Sequence, residues 1–546
     1  MPKFTVTIES ILGGISSNAY MGRTDQFHAS IGIDPDRPIQ TSGVTKTSGV
    51  LVPSSAEDVS GVVLSGYPLW IVTNPKGTAS ELIYVYASDG EFISYVNAGG
   101  TGTLEGTPTS GAGNGMAYYN NYVYLATPTN VSRYGPLDGT PTLTNTVWTG
   151  TTLGSQAALA DALYPTQRGV TLPNHPMHVH IDNKLYVGDT VTAANANKGR
   201  GVIHWIRTTR TTDEGDTNDG STYGAFYLPF GYTPTDIESW GTDVVVAAIP
   251  NTDSVAGRFS NAKLFFWDAI NAPTLPYKVV ELQDPLVTAL LNHNGNLYLW
   301  TGSYGSGIAS DSVGGVRLSV YQGGYTIKQL TFQEEGLPPI PGGVAASGNR
   351  IIWTGYTSYP EDQICLWAYG YKDGNLPAVL HNIVTGSATA SGTTWTSTAV
   401  AVVEQVSFGA DPRLWMGWKD GAVTQDFGID RINATANVAR PAVYRSLIYS
   451  MKQPFRINKL SLPLGAAVAA DMTLIPTILT DDLSASTALT TINSTNYAAS
   501  ERRVVMFPSV FGTNNFCLQL RWSGTAILPV NLPIIIEGET LNDATR

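Results

Sequence analysis

An all-β fold, a seven-bladed β-propeller with a C-terminal β-sandwich, is what this sequence predicts, on three observations. A short turn recurs along the chain between runs of strand formers. A second hairpin follows several of its copies. The residues after 437 lack the repeat and carry six short strand candidates instead.

The clearest copy runs from Val287 to Trp300, reading Val-Thr-Ala-Leu-Leu-Asn-His-Asn-Gly-Asn-Leu-Tyr-Leu-Trp. Asn294-Gly295 tolerates the positive φ angles of a two-residue turn, so the flanking runs fold back as an antiparallel hairpin. Equivalent turns are read at Ser65-Gly66, Asn120-Asn121, Asp182-Asn183, Gly241-Thr242, Ser347-Gly348 and Ala410-Asp411. Their spacings of 55, 62, 59, 53, 53 and 63 residues form a degenerate period. Such a period marks a unit that cannot bury its own apolar faces and must stack on its neighbours. Second hairpins follow at Asp89-Gly90, Gly323-Gly324 and Asp373-Gly374. Two hairpins give four strands, the content of one blade. A parallel β-helix fits less well, because its rungs are much shorter.

Residues 1–60 carry no repeat and offer two strands, Phe4 to Ile8 and Phe27 to Ile33, separated by Gly13-Gly14. The seventh unit of the 61–432 propeller looks one strand short. Propellers often close by borrowing a strand from the other end of the repeat region, so this arm is expected to supply it. Residues 132–172 and 189–225 are long insertions rich in Thr, Gly, Asn and Asp, the expected contact loops. Beyond Asn433 to Asn437, residues 437–546 hold strand candidates at Val443 to Tyr449, Ile457 to Leu462, Met472 to Leu479, Arg503 to Phe507, Phe516 to Trp522 and Leu532 to Glu537. The even positions of Phe516 to Trp522 are all large and apolar, the signature of a strand with one buried face. Strands this short and this frequent predict a sandwich, and no ordinary helix is expected anywhere.

Composition narrows the function. Charged residues are only 14% of 546, and the 31 basic against 43 acidic side chains give a formal charge of −12. That balance opposes the clustered Lys and Arg of a nucleic-acid reader, so no sequence-specific nucleic acid is expected as a partner. The Met-Pro-Lys-Phe start lacks the apolar core of a signal peptide, and Leu462 to Ala470 is too short to span a bilayer, so no membrane insertion is expected. Synthesis in a cytoplasm follows. Cys365 and Cys517, the two cysteines, read as buried free thiols.

Each candidate for chemistry has a plainer role beside it. His175, His178 and His180 form the densest histidine cluster. In an extended segment His178 and His180 share a face, as metal ligands on a strand often do. No third ligand follows at a recognisable spacing, so packed or hydrogen-bonded histidines are expected. The acidic loop at 213–219 offers oxygen ligands for calcium, but its order departs from the EF-hand pattern, and a solvated loop is expected. The carboxylates Asp182, Asp243, Asp411 and Glu404 are scattered, with no spacing that glycoside hydrolysis needs. Ser391 to Trp395 matches only the tail of a sialidase Asp-box. Trp70, Trp300, Trp353, Trp367 and Trp415 could stack on sugars, but their strand positions fit packing between blades better. The reading therefore assigns no catalytic, cofactor-binding or metal-binding residue and expects no cofactor and no enzyme.

With Ile11-Leu12-Gly13-Gly14-Ile15 in the arm, Lys459 to Leu464 and Ile475 to Asp482 in the terminal domain, and a charge-poor propeller between them, the chain resembles virion structural proteins of tailed bacteriophages, in particular β-propeller tail proteins of the nozzle or tail-hub kind. The resemblance is architectural and covers most of the chain. It implies a homo-oligomeric ring, commonly a hexamer, that contacts other virion tail proteins and has no catalytic residues. A carbohydrate-binding or glycan-hydrolysing propeller used for host attachment is the alternative from a different class.

Overall fold

The computed structural model describes residues 2–16, 18–33, 51, 56–58, 64–74, 82–96, 102–108, 114–145, 147, 175–190, 200–207, 226–250, 261–268, 276–304, 313–333, 338–357, 363–370, 380–385, 398–405, 413–420, 426–432, 439–524 and 528–541. These residues are all-β; the helical exception among them is a single 3₁₀ turn, Pro341–Gly343. No helix among them is long and apolar enough to cross a membrane.

Four-stranded antiparallel sheets follow one another along the chain. The first consists of Pro68–Thr73, Leu82–Ala87, Phe92–Val96 and Gly102–Gly106, and the second of Gly115–Tyr119, Tyr122–Ala126, Val131–Gly135 and Thr142–Thr144. The third holds Met177–Val179, Lys184–Thr190, Arg200–Arg207 and Phe226–Phe230, and the fourth Tyr232–Trp240, Asp243–Pro250, Lys263–Asp268 and Lys278–Glu281. The fifth is Leu286–His293, Asn296–Tyr304, Val313–Tyr321 and Ile327–Gln333, and the sixth Val344–Ser347, Arg350–Thr357, Gln363–Tyr369 and Leu380–Thr385. The seventh joins Thr398–Gln405, Arg413–Asp420 and Asp426–Ile432 to Ala56–Asp58, which arrives from the N-terminal side. The first strand of each sheet touches that of the next, and Thr398–Gln405 returns to Pro68–Thr73, so the inner strands form a closed cycle. This is a β-propeller arrangement, in which closure leaves no open sheet edge at the seam.

The recurring turns work as local chemistry requires. Asn120 and Asn121 have φ of 47° and 71°, and Asn294 and Gly295 have 51° and 76°, the left-handed pair that matches the twist of a hairpin. Ser65-Gly66 is out of phase with the rest. It precedes Pro68–Thr73, the first strand of its sheet, whereas the other described copies lie between first and second strands. Its glycine is required for a different reason: a Cβ there would sit 2.7 Å from the Asp89 side chain and 2.8 Å from the Asp89 backbone nitrogen. The Ala410-Asp411 copy, most of the 132–172 and 189–225 insertions, and the acidic loop at 213–219 lie outside the described residues.

The arm has a second task besides bringing Ala56–Asp58 to the seventh sheet. Lys3–Ile8 pairs with Ile534–Thr540, and Ala29–Ile31 pairs with Ala439–Arg445. They become strands of two further sheets. One runs Lys3–Ile8, Ile534–Thr540, Phe455–Pro463 and Arg503–Met506, with Val510–Gly512 also on Phe455–Pro463. The other runs Ala29–Ile31, Ala439–Arg445, Asn515–Gly524, Met472–Thr480 and Ala485–Ala488, with Tyr449–Ser450 beside Asn515–Gly524. Ile8, Phe27, Tyr444, Phe455, Leu518 and Trp522 share one apolar core between them. The Ile15 N–H donates to Leu380 O at 3.0 Å, tying this terminal module to the outermost strand of the sixth sheet.

Candidate functional site

The histidines lie on the third sheet and next to it. Met177–Val179 is its innermost strand, and Asn183, with φ of 60°, turns the chain into Lys184–Thr190. His178 and His180 do not converge on a shared point. His178 Nε2 is 2.7 Å from Ser239 Oγ and 3.3 Å from Glu238 Oε1 of the neighbouring sheet. His180 Nδ1 is 3.0 Å from Asp182 Oδ1 instead. Burial pushes the His178 imidazole below its usual value, and the Glu238 carboxylate opposes that push only in part.

A Ser-His-Glu grouping invites comparison with a nucleophilic triad. Such a triad needs the hydroxyl on one ring nitrogen and the carboxylate on the other, so that the carboxylate orients the base. Here both approach Nε2, which makes the group a structural tie between sheets. Asp182 is equally committed: its carboxylate accepts from Lys184 Nζ at 2.6 Å and Tyr186 Oη at 2.9 Å. Burial raises its pKa, but the hydrogen bonds from His180, Lys184 and Tyr186 outweigh this and hold it well below the usual carboxylate range.

His175 is fully buried at the entry to the same strand. Its Nδ1 is 3.1 Å from Gly188 O and 3.5 Å from Asp189 Oδ1, and its Nε2 is 3.3 Å from Pro128 O of the second sheet's connection. Asp189 also lies 3.7 Å from His204 Nε2. No group of three or more His, Cys, Asp or Glu among the described residues could hold a metal ion.

The other expected candidates are placed as follows. Trp70, Trp300, Trp353 and Trp415 are buried between sheets, and the Trp300 and Trp353 rings meet at 5.9 Å. Trp367 is half-buried against the same cluster. Asp243 accepts from Tyr277 Oη at 2.6 Å. Cys365 and Cys517 are buried and form no disulfide, and burial pushes the Cys517 thiol up to about 11. Asp411 and Ser391 to Trp395 lie outside the described residues.

Sequence reasoning missed two features. One is a cleft of about 450 Å³ where the link from the fourth to the fifth sheet, Glu281 to Asp284, passes the fifth sheet. Arg317 Nη1 donates to both carboxylate oxygens of buried Asp284, at 2.8 and 2.9 Å, and Thr301 Oγ1 donates to the same carboxylate. Tyr325, at 75% exposure, forms part of its lining. The other feature is on the terminal module, where Val505, Phe507 and Phe511 are exposed and Arg456 lies over the Phe511 ring at 5.5 Å. Arg503–Met506 pairs on one side with Phe455–Pro463 and has no other strand beside it among the described residues.

No protein-family model matches the chain, and no curated protein matches it. Among solved structures it is similar to the β-propeller domain of Cps50 (Swd1) from Myceliophteria thermophila, with 9% identity, 69% of this chain and 100% of that one covered, and a TM-score of 0.37. It is also similar to the WD40 repeats of RRP9, with 10% identity, 70% and 98% covered, and a TM-score of 0.40. An exo-β-1,3-galactanase from Phanerochaete chrysosporium aligns with 11% identity, 79% and 98% covered, and a TM-score of 0.28. At this distance no residue role transfers from any of them.

Proposed function

We propose that the chain is a non-enzymatic structural component of a bacteriophage tail, of the nozzle or tail-hub kind, built as a seven-bladed β-propeller with a C-terminal β-sandwich. It works as a subunit of a homo-oligomeric ring, commonly a hexamer, in the virion, in contact with other tail proteins. The observation that carries the reading is the apolar edge of the terminal module. Val505 on Arg503–Met506, Phe507 just after it and Phe511 on Val510–Gly512 are exposed, and these two strands pair with Phe455–Pro463 and with no other strand among the described residues, the kind of surface that marks a protein contact. Pairing of Lys3–Ile8 with Ile534–Thr540 makes the module that carries this edge a joint product of both chain ends. The commitment of Asp182, Asp236 and Asp284 to neighbouring strands and side chains supports a role without catalysis.

The test is the mass of the purified chain in solution by light scattering, alone and as Phe507→Asp and Phe511→Asp. A ring that falls to monomers in these variants is the expected result. A stable monomer with glycan-hydrolase activity overturns the reading.

A further inference from the structure

From its lining, we propose that the cleft beside the fifth sheet binds a neutral saccharide. Its volume of about 450 Å³ lies within the range of roughly 300–1,000 Å³ common for small-molecule sites. The chemistry of its walls then selects the ligand.

The lining side chains Glu281, Gln283, Ser319, Thr326 and Gln329 are polar, with donors and acceptors in mixed order. An apolar ligand would leave these groups without water or partners. An anion meets the carboxylates of Glu281 and Asp284. A cation would leave the amide N–H donors of Gln283 and Gln329 unmatched, and the Glu281 carboxylate it would seek already accepts from Asn261. A ligand with many hydroxyls and no charge satisfies all of them, because each hydroxyl both donates and accepts.

Two parts of the wall are held in place before any ligand arrives. Arg317 is fixed by the Asp284 carboxylate, which is itself buried and takes the Thr301 hydroxyl. Tyr325, whose ring stands largely exposed, is positioned by Lys278. The Lys278 ammonium lies 4.9 Å from the ring centres of Phe266 and Tyr321 and 5.0 Å from that of Tyr325. An aromatic face held in solvent beside planar amide and guanidinium groups is suited to the C–H face of a sugar ring, with hydrogen bonds around its rim. The binding does not depend on the ring assembly proposed above, and the two are measured separately.

Saturation-transfer NMR on the full chain tests it, with neutral hexasaccharides of glucose, of galactose and of N-acetylglucosamine as probes and a sialic-acid-capped hexasaccharide as the charged comparison. At least one neutral probe is expected to bind at millimolar concentration or below. Tyr325→Ala and Gln329→Ala, both at exposed positions, are expected to weaken it at least about tenfold with unchanged melting. Absence of binding by every neutral probe overturns the proposal. So does binding that both variants leave intact, or a clear preference for the charged probe. The solution mass of each variant is read in parallel, so loss of saccharide binding is distinguished from loss of assembly.

Discussion

The carboxylate of Asp236 accepts the backbone N–H of Leu290 at 2.6 Å, joining the innermost strands of the fourth and fifth sheets. Its other oxygen accepts the Ile237 N–H at 2.8 Å, and next to it Thr235 Oγ1 donates to Val287 O at 2.8 Å. Adjacent sheets of a closed cycle have no backbone ladder between them, so side chains must supply the ties. Burial pushes the Asp236 carboxyl well above its usual value, against the two backbone hydrogen bonds.

Asp236→Asn tests this tie. Asparagine keeps one acceptor but turns an amide donor toward one of the two N–H groups, which costs about 1–3 kcal/mol. The pH dependence has a definite sign. A carboxyl whose pKa is raised on folding stabilises the native state less as pH climbs above 3.8, because the unfolded chain ionises first. The variant is expected to lack that decline; denaturant titrations from pH 4 to 7 that show the same slope for both proteins would refute the assignment.

Lys419 gives a test of opposite charge. It is 7% exposed, its ammonium lies 4.5 Å from the centre of the Tyr67 ring, and burial lowers its pKa to about 8. Between about 8 and 10.5 the folded state binds fewer protons than the unfolded one, so stability rises with pH across that window. Lys419→Met is expected to be more stable at pH 7, by at most about 3 kcal/mol, less the lost contact with Tyr67 of about 0.5–2 kcal/mol. The variant should also lack the contribution that rises from pH 8 to 10.5; a pH profile parallel to that of the parent protein across this window counts against this account.

His28 sits where the arm joins the terminal module, its backbone N–H donating to Arg445 O at 3.0 Å. Burial, then the Arg445 charge, lowers its pKa to about 4. The folded state therefore resists protonation that the unfolded chain accepts, and stability is lost as pH falls from 6.5 toward 4. His28→Gln is expected to move the midpoint of acid unfolding to lower pH, read by tryptophan fluorescence.

Trp300 and Trp353 belong to the fifth and sixth sheets and fill the space between them, each almost fully buried. Replacing either with alanine is expected to cost about 3–5 kcal/mol. Because the rings touch, the double variant should cost less than the two singles added together. Additive losses in chemical denaturation would separate the two sites.

The hairpins were legible because their signals are local: Asn294-Gly295 announces its own φ angles without reference to the rest of the chain. The packing role of Trp300, Trp353 and Trp415 was legible for a similar reason, since their position in a strand fixes which neighbour they meet. The Ser65-Gly66 copy misled because glycine serves two needs, a positive φ and a close approach, and sequence does not separate them. Long-range convergence was not legible at all. Asp284, Thr301 and Arg317 meet across three segments, and only register brings them together. The same holds for Phe4, whose alternating strand was visible but whose partner strand lies at the far end of the chain.

That distant pairing supports the last prediction. Removing residues 1–60 deletes strands from both sheets of the terminal module and the fourth strand of the seventh sheet, Ala56–Asp58. Backbone groups on Ile534–Thr540, Ala439–Arg445 and Asp426–Ile432 would then lose their partners, and sheet edges would open to other chains. An insoluble product, or one melting well below the parent, is expected. Phe4→Ala is a milder probe of one junction, because Phe4 packs on Phe455 at 6.2 Å and Phe516 at 5.9 Å, both in the terminal module. It should lower the stability of that module by about 3 kcal/mol or less, Phe4 being only partly buried. Hydrogen exchange can read the two parts separately: faster exchange in 455–463 and 515–524, with 286–304 unchanged, is the expected pattern, and equal acceleration in all three segments would show that Phe4 supports the whole chain instead.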